Sequence, residues 1–520
     1  MNIEFKLKTS EKISAFEHIF NHINPNGPGL LPGGEILPDD DIVEFEEDIH
    51  WSPGAMDVMG GKPEFTDKTD LENLIQEFMD AFHNVSENPT EETIGLLEQK
   101  LSYPDTLAVI DKVLRKLVVD SSVNQSVIYN VCRYIMLESP YRGAVKFAIG
   151  VTGLYGQKQD IEIYKILARH DEFSLYCAVA VLGETSETAS VWLEMAKNVT
   201  GWGRIHIINR LCEVDRKDIR DFLVEEGYNN DILPEYSACK IAESVRLAEM
   251  LKSSSLDDAK FHGAGSILAS IVNASITPGP FDGIDKYSQS EQAVINWLGQ
   301  CLKKADSLTD IRNIYIISKL ATPAEQGGCL EKAKFSVKSV ESIIKSCTEL
   351  LQADRWKELV IRSLKSGEQA DQWEAIAAAN TINLNIKDEL FGILSENPVK
   401  PPLWYYLIRI ADDQSVVNII ELAEKKLLDP VSAMMFGDTE QCLTIFIQDL
   451  ERFPGRGWPL ISHCLYSQNP SVRNLALKTL RTWKPALSFN SEIRTIEGIL
   501  RDPDDMVRLS ADNLLRYWKQ

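Results

Sequence analysis

The feature that most limits how this chain can fold lies near its C-terminus, where one pattern is written twice. Leu465, Val472, Arg473, Ala476, Leu480, Arg481 and Trp483 recur as Leu500, Val507, Arg508, Ala511, Leu515, Arg516 and Trp518, each 35 residues on. That period is typical of two-helix units that bury their apolar face only by stacking on a neighbour. In the second copy Val507, Ala511, Leu515 and Trp518 step by 4, 4 and 3, one stripe along a helix.

Helical spacing extends over most of the chain. Leu71, Leu74, Ile75, Phe78, Met79 and Phe82 mark one stripe, and Val127, Ile128, Val131, Tyr134 and Ile135 mark another. Short polar turns such as Ser86-Glu87-Asn88-Pro89 and Gly156-Gln157 separate such stripes, which predicts antiparallel helix pairs. At roughly 40 residues each, about ten or eleven hairpins fill residues 66–520. Pro- and Gly-bearing stretches at 275–287 and 322–334 are expected as loops or kinks. Residues 1–65 read differently. Ile13 to Phe20 suits a short helix, and the Pro and Gly residues from Pro25 to Pro38 then break regular structure. The acids from Asp39 to Asp48 follow, interleaved with Ile42, Val43, Phe45 and Ile49. This pattern predicts an acidic arm packed on the helical body, with a short strand or hairpin.

The net charge of −23 disfavours a nucleic-acid backbone as main partner. Residues 1–100 hold 22 acids against 6 Lys (−16), whereas 451–520 hold 7 acids against 11 Lys and Arg (+4). The acidic end suits solvation, a basic partner, or the chain's own basic end. Nine Cys without a Cys-x-x-Cys spacing, several on apolar faces (Cys177, Cys212, Cys239, Cys464), point to free thiols in a reducing compartment. No apolar run of about 7–15 residues follows Met1. The most apolar stretch, Ala144 to Tyr155, contains Lys146 and is too short to span a bilayer. A cytoplasmic protein is expected.

Catalytic patterns fail on inspection. His18 and His22 stand one helical turn apart, but Ile19-Phe20-Asn21 lacks the Glu of a zinc protease, and His50 would join them as a third ligand only by coincidence of folding. In His262-Gly263-Ala264-Gly265-Ser266, Leu268 replaces the second glycine of a nucleophile elbow; a close helix–helix contact explains the glycines better. Gly60-Gly61-Lys62 has Pro63 where a phosphate loop needs Ser or Thr. Asp257-Asp258 and Asp412-Asp413 fall at helix starts, where acids cap free N–H groups. No catalytic, cofactor-binding or metal residue is assigned, and no enzyme activity is expected.

The aromatic residues say more. Trp483, Trp518 and Trp373 stand at repeat positions and are expected to fill gaps between hairpins. Trp404, Tyr405 and Tyr406 cannot all face inward, because consecutive helical residues point about 100° apart. Arg456 and Trp458 lie on a Gly/Pro-rich loop, Trp202 and Arg204 flank Gly203, and Trp51 precedes a Pro-Gly pair. Trp, Tyr and Arg dominate binding hot spots. Trp51, Trp202, Arg204, Trp404, Tyr405, Tyr406, Arg456 and Trp458 are therefore the candidate partner-binding residues.

Asp502-Pro503-Asp504, Val507, Arg508 and Ala511 resemble the inter-helix turn and second helix of a HEAT repeat, clearest over 464–518. In that family these residues are structural, holding the turn and the packing between repeats, and Trp483 and Trp518 join them here. The earlier copy has Asn469-Pro470-Ser471 in place of the acidic turn, which leaves Arg473 without the Asp–Arg contact that such repeats stack into a ladder. The resemblance implies an all-α chain, a right-handed armadillo-like α-solenoid over 66–520 with an irregular acidic arm at 1–65. It implies a non-catalytic scaffold or adaptor that binds a protein or peptide along a groove, an inhibitor or immunity-type protein included. The alternative is an enzyme on a HEAT-like scaffold, such as an alkylpurine DNA glycosylase or a bilin lyase-like protein.

Overall fold

The computed structural model describes residues 12–40, 52–55, 57, 68–102, 106–181, 185–253, 255–430, 439–483 and 490–519. His50, Trp51, Gly60 to Lys62 and the acids from Asp41 to Asp48 lie outside them. The described residues are helical, with one lone antiparallel bridge between Ile23 and Leu30. The chain divides into two compact units, unit 1 being 1–304 with 316–344 and unit 2 being 305–315 with 345–520.

Unit 1 opens with α1 (Ala15–Asn21), α2 (Lys68–Glu87), α3 (Glu91–Leu101), α4 (Thr106–Val119) and α5 (Gln125–Glu138). Next come α6 (Arg142–Gly153), α7 (Ile161–Leu167), α8 (Asp171–Ala180), α9 (Thr185–Asn198) and α10 (Gly201–Leu211). It continues through α11 (Lys217–Phe222), α12 (Ala238–Ser244), α13 (Leu247–Met250), α14 (Asp258–Ile276) and α15 (Ser290–Lys304). Polar residues cap several of these helices, Asp257 among them as the sequence predicts. Asn124 caps α5 and Asp257 caps α14 by accepting from backbone N–H groups, and Thr90 and Thr93 form a capping box on α3. The helices α4, α6, α8 and α10 pack each against the next, and α5, α7 and α9 pair with α6, α8 and α10. The N-terminal segment joins this array. Ser14 caps α1, which packs on both α5 and α7 with Ala15 and Ile19 fully buried. On α14, a Cβ at Gly263 would stand 1.7 Å from the Val224 carbonyl oxygen. Only a glycine lets that helix approach the π-helical turn Leu223–Gly227, which accounts for the pattern that superficially resembled a nucleophile elbow.

Residues 305–351 carry α16 (Leu308–Ser318), α17 (Leu330–Ala333) and α18 (Val337–Leu351). The stretch 322–334 is thus partly helical, α17 following a 3-10 turn at Ala324–Gln326. Ten helices follow among the described residues of unit 2. They are α19 (Arg355–Leu364), α20 (Gln369–Thr381), α21 (Lys387–Glu396), α22 (Pro401–Arg409), α23 (Ser415–Leu427) and α24 (Glu440–Gln448). The last four are α25 (Trp458–Leu465), α26 (Pro470–Thr479), α27 (Asn490–Ile499) and α28 (Asp505–Lys519). Helix α19 pairs with α20, α21 with α22, α25 with α26, and α27 with α28. The second helices α20, α22, α24, α26 and α28 pack in sequence, as do the first helices α21, α23 and α25. Val507, Ala511 and Trp483 are fully buried, and Leu515 is nearly so.

Two expectations about this unit need correction. Trp373 does not fill a gap between hairpins: it is 40% exposed, because the stripe that turns inward on α20 is made of the smaller Ala375, Ile376, Ala378 and Ala379. Arg473 does have its carboxylate. Its Nη2 lies 2.7 Å from Asp502 of the following turn, and Asp504 of that turn caps α28 by accepting from Val507 N at 3.0 Å. Trp518 is half-buried. All nine Cys are free thiols, and all but the half-buried Cys212 are buried. Among the described residues no helix is long and apolar enough to cross a membrane.

Candidate interaction surfaces

Unit 1 gathers ionisable groups where its N-terminal segment crosses the first turns of α6, α8 and α10. Tyr141, before α6, gives no side-chain cap. Asp39 supplies one, its Oδ2 accepting from Arg142 N at 2.8 Å and its Oδ1 from Arg142 Nε at 3.0 Å, while Asp40 pairs with the same guanidinium. A carboxylate there meets free N–H groups and the positive end of the helix dipole. One turn on, Lys146 Nζ lies 2.5 Å from Glu172 and 3.5 Å from Asp57. Tyr176 donates its hydroxyl to Asp57 at 3.3 Å, and Gly54 N donates to Glu172 at 3.2 Å. His170 caps α8, its Nδ1 accepting from Glu172 N at 3.2 Å while Nε2 faces the Glu35 carbonyl at 3.2 Å. Asp171 caps α10, its Oδ2 accepting from Trp202 N at 3.0 Å. Gly201, at φ +64°, makes room for it; a Cβ there would stand 2.2 Å from that oxygen.

Burial dominates the titration of this site. It pushes Asp171 up to about 7, against the N–H groups of Gly203 and Trp202 and with help from Glu172. It pulls His170 down to about 4, opposed by Glu172 and the Glu35 carbonyl, and His206 on α10 down to about 4, with Arg210 adding. Burial also raises Glu172, but Lys146, Arg142 and His170 outweigh it and hold that carboxyl at about 2. Between pH 6 and 5 the unfolded chain therefore carries a proton on each histidine and none on Asp171. The folded chain carries one on Asp171 and none on the histidines, one fewer in all. Stability should fall on acidification by about 1.4 kcal/mol per pH unit from these groups. Asp171→Asn removes the opposing proton, so the slope over this range, read from urea unfolding, should about double. A slope unchanged or reversed in that variant would refute the balance.

The structure separates the candidate contact residues. Trp202 is only 6% exposed and packs with Ile205 and with Ala55 of the N-terminal segment. Arg204 is buried, donating to the carbonyls of Val199 and Glu226. Neither offers an open surface, because Gly201 begins α10 and draws Trp202-Gly203-Arg204 into its first turn. Trp404 is fully buried against Phe446, its indole N–H donating to the Pro398 carbonyl at 2.7 Å. Arg456 is half-buried and tied to Asp413, and Trp458 is half-buried at the start of α25. Tyr405 and Tyr406 are half-buried, and Tyr406 donates its hydroxyl to Asn380 at 2.8 Å. What remains open is a cluster on the second helices of unit 2. The rings of Trp373 and Tyr405 meet edge to face at 5.2 Å, and the exposed Arg409 guanidinium lies 5.2 Å from the Tyr405 centroid.

Sequence reasoning missed Arg409, Arg142 and Lys146. For Arg409 the signal was its place four residues after Tyr405; for Lys146 it was a lone cation inside the most apolar stretch of the chain. No protein-family model matches the chain, and no curated protein sequence shows significant similarity to it.

Proposed function

We propose that the chain is a HEAT-like α-solenoid acting as a non-catalytic scaffold, and that it binds a protein or peptide partner along its second helices. The observation that carries this reading lies in unit 1. There a segment of the chain itself crosses three successive second helices, held by Asp39 and Asp40 on α6, Asp57 and Gly54 between α6 and α8, and Ala55 on α10. A surface that holds one chain segment in this way has the chemistry to hold another. In unit 2 the corresponding helices leave Trp373 and Arg409 exposed beside the half-buried Tyr405, with the composition of a binding hot spot. Asp39 and Asp40 are spent on Arg142, so these acids are taken from any basic partner.

The test compares the full chain with a Trp373→Ala/Tyr405→Ala/Arg409→Glu variant as immobilised bait in a cell lysate, at low and moderate salt, read by mass spectrometry. The unvaried chain should retain a protein that the variant loses by at least about tenfold, the loss expected when a hot spot is removed, with the unfolding midpoint unchanged. Retention that is equal for both, or absent for both, would dismiss the reading.

A further inference from the structure

We infer that the groove between α26 and α28 is a docking site for an acidic segment of a partner protein that carries one bulky apolar side chain. The inference rests on the scaffold reading and names the chemistry of its partner. Asn474, Leu477, Lys478 and Arg481 follow one another along α26 and the turn after it, at steps of 3, 1 and 3. Ser510, Asn513, Leu514 and Tyr517 repeat those steps along α28. The two stripes face each other across a cavity of about 530 Å³, large enough for one big side chain and its flanking peptide. Leu477 and Leu514 are nearly buried and form an apolar floor, and Tyr517 stands 45% exposed at the side.

The charge of the groove selects its occupant. Lys478 and Arg481 are exposed, and no carboxylate lines the groove among the described residues. The acids of α28 are engaged elsewhere, Asp505 with Arg508 and Asp512 with Arg516. The Arg481 guanidinium lies 5.2 Å from the Tyr517 ring centroid, a stacking that leaves its N–H edge available to a carboxylate. Asn474 Oδ1 is out of solvent and has no hydrogen-bond partner, so an incoming backbone N–H would satisfy it. Unit 1 meets acids in the same manner, with Arg142 and Lys146 holding Asp39, Asp40 and Asp57. A phosphate polymer is the poorer occupant, since two cations on a chain of net charge −23 give it little electrostatic gain.

The probe is a fluorescein-labelled decapeptide with four acids around a central Phe-Leu pair, titrated with the full chain and followed by anisotropy. Saturable binding should weaken at least tenfold with Lys478→Glu/Arg481→Glu, with Tyr517→Ala, and when the peptide's acids become Gln or its Phe-Leu pair becomes Ser-Ser. No saturable binding, or equal binding by the charge-reversed variant at an unchanged unfolding midpoint, would overturn the inference. So would tighter binding of a labelled oligothymidine, or self-association in sedimentation that the charge reversal abolishes, which would make the occupant a nucleic acid or a second copy. If the charge-reversed variant and the unvaried chain both still retain a lysate partner through Trp373, Tyr405 and Arg409 while the peptide fails, the groove assignment falls and the scaffold reading stands.

Discussion

Lys146→Met should destabilise unit 1 by about 3–5 kcal/mol, the usual cost of removing one partner from a buried ion pair. The side chain of Lys146 is 9% exposed, those of Asp57 and Glu172 are 7% and 14% exposed, and the ammonium is the cation both carboxylates share. Burial pulls its pKa down, but Glu172 and Asp57 together raise it above the ordinary lysine value, so it is charged at any working pH. Met fills most of the same volume, so the loss would be electrostatic rather than a cavity. Asp57 already sits above its ordinary value because burial outweighs the pull of Lys146; without the ammonium it would take up a proton first. Glu172 would follow, leaving its value near 2, and the pH dependence below neutrality would change with it. The triple variant Lys146→Met/Asp57→Asn/Glu172→Gln removes the charges as a set and should recover more than half of the loss. Urea unfolding of the three proteins measures this. A single variant within about 1 kcal/mol of the parent, or a triple variant no better than the single, would refute the shared-cation account. Because Asp57 belongs to the N-terminal segment, limited proteolysis should also cut residues 52–57 faster in the single variant.

The helices and buried stripes of residues 470–519 were open to reading because their signal is local. Val472 and Val507, or Ala476 and Ala511, face the same way in each copy, and periodicity needs no knowledge of the neighbour. Trp404 was half legible: spacing says that only part of Trp404-Tyr405-Tyr406 turns inward, and Leu407, Ile408 and Ala411 continue the stripe on which Trp404 lies. The ionic site was not legible. Asp39 meets Arg142 from 103 residues away, and Asp57 meets Lys146 from 89; no window of sequence holds both ends. Trp202 and Arg204 misled for a different reason. Glycines at Gly201 and Gly203 suggest a loop, yet one starts a helix in the left-handed region and the other admits Ser174 and Asp171 to close range. The Arg473 pairing failed to show because its acid lies in the turn before α28, 29 residues on, and not in the turn before its own helix.

Arg473→Ala should loosen the last hairpin and spare the others. Its guanidinium donates to the carbonyls of Ser467 at 2.8 Å and Gln468 at 3.1 Å, and to Asp502 at 2.7 Å. One side chain thus ties the turn before α26 to the turn before α28, with 8% and 6% of the two charged side chains exposed. Asp502 itself accepts from Asp504 N at 2.9 Å, and Arg508 donates to the Asp502 carbonyl, so the turn is organised around that carboxylate. Truncation leaves the carboxylate and two carbonyls without their donor, at about 3–5 kcal/mol. Helix α26 packs on α24 with one side and on α28 with the other, and the tie from Arg473 to Asp502 lies on the α28 side, so that cost falls on the α26–α28 interface. Amide hydrogen exchange should therefore accelerate over residues 490–519, by on the order of a hundredfold for a coupling loss of about 3 kcal/mol, while residues 369–409 keep their protection. Arg473→Lys should not rescue it, because a single ammonium lacks the two guanidinium nitrogens that reach the two carbonyls and Asp502 separately. Asp502→Asn on the alanine background should recover part of the loss, since it removes the stranded charge. Acceleration spread evenly over both units, or none at 490–519, would mean that Arg473 does not couple the last two hairpins.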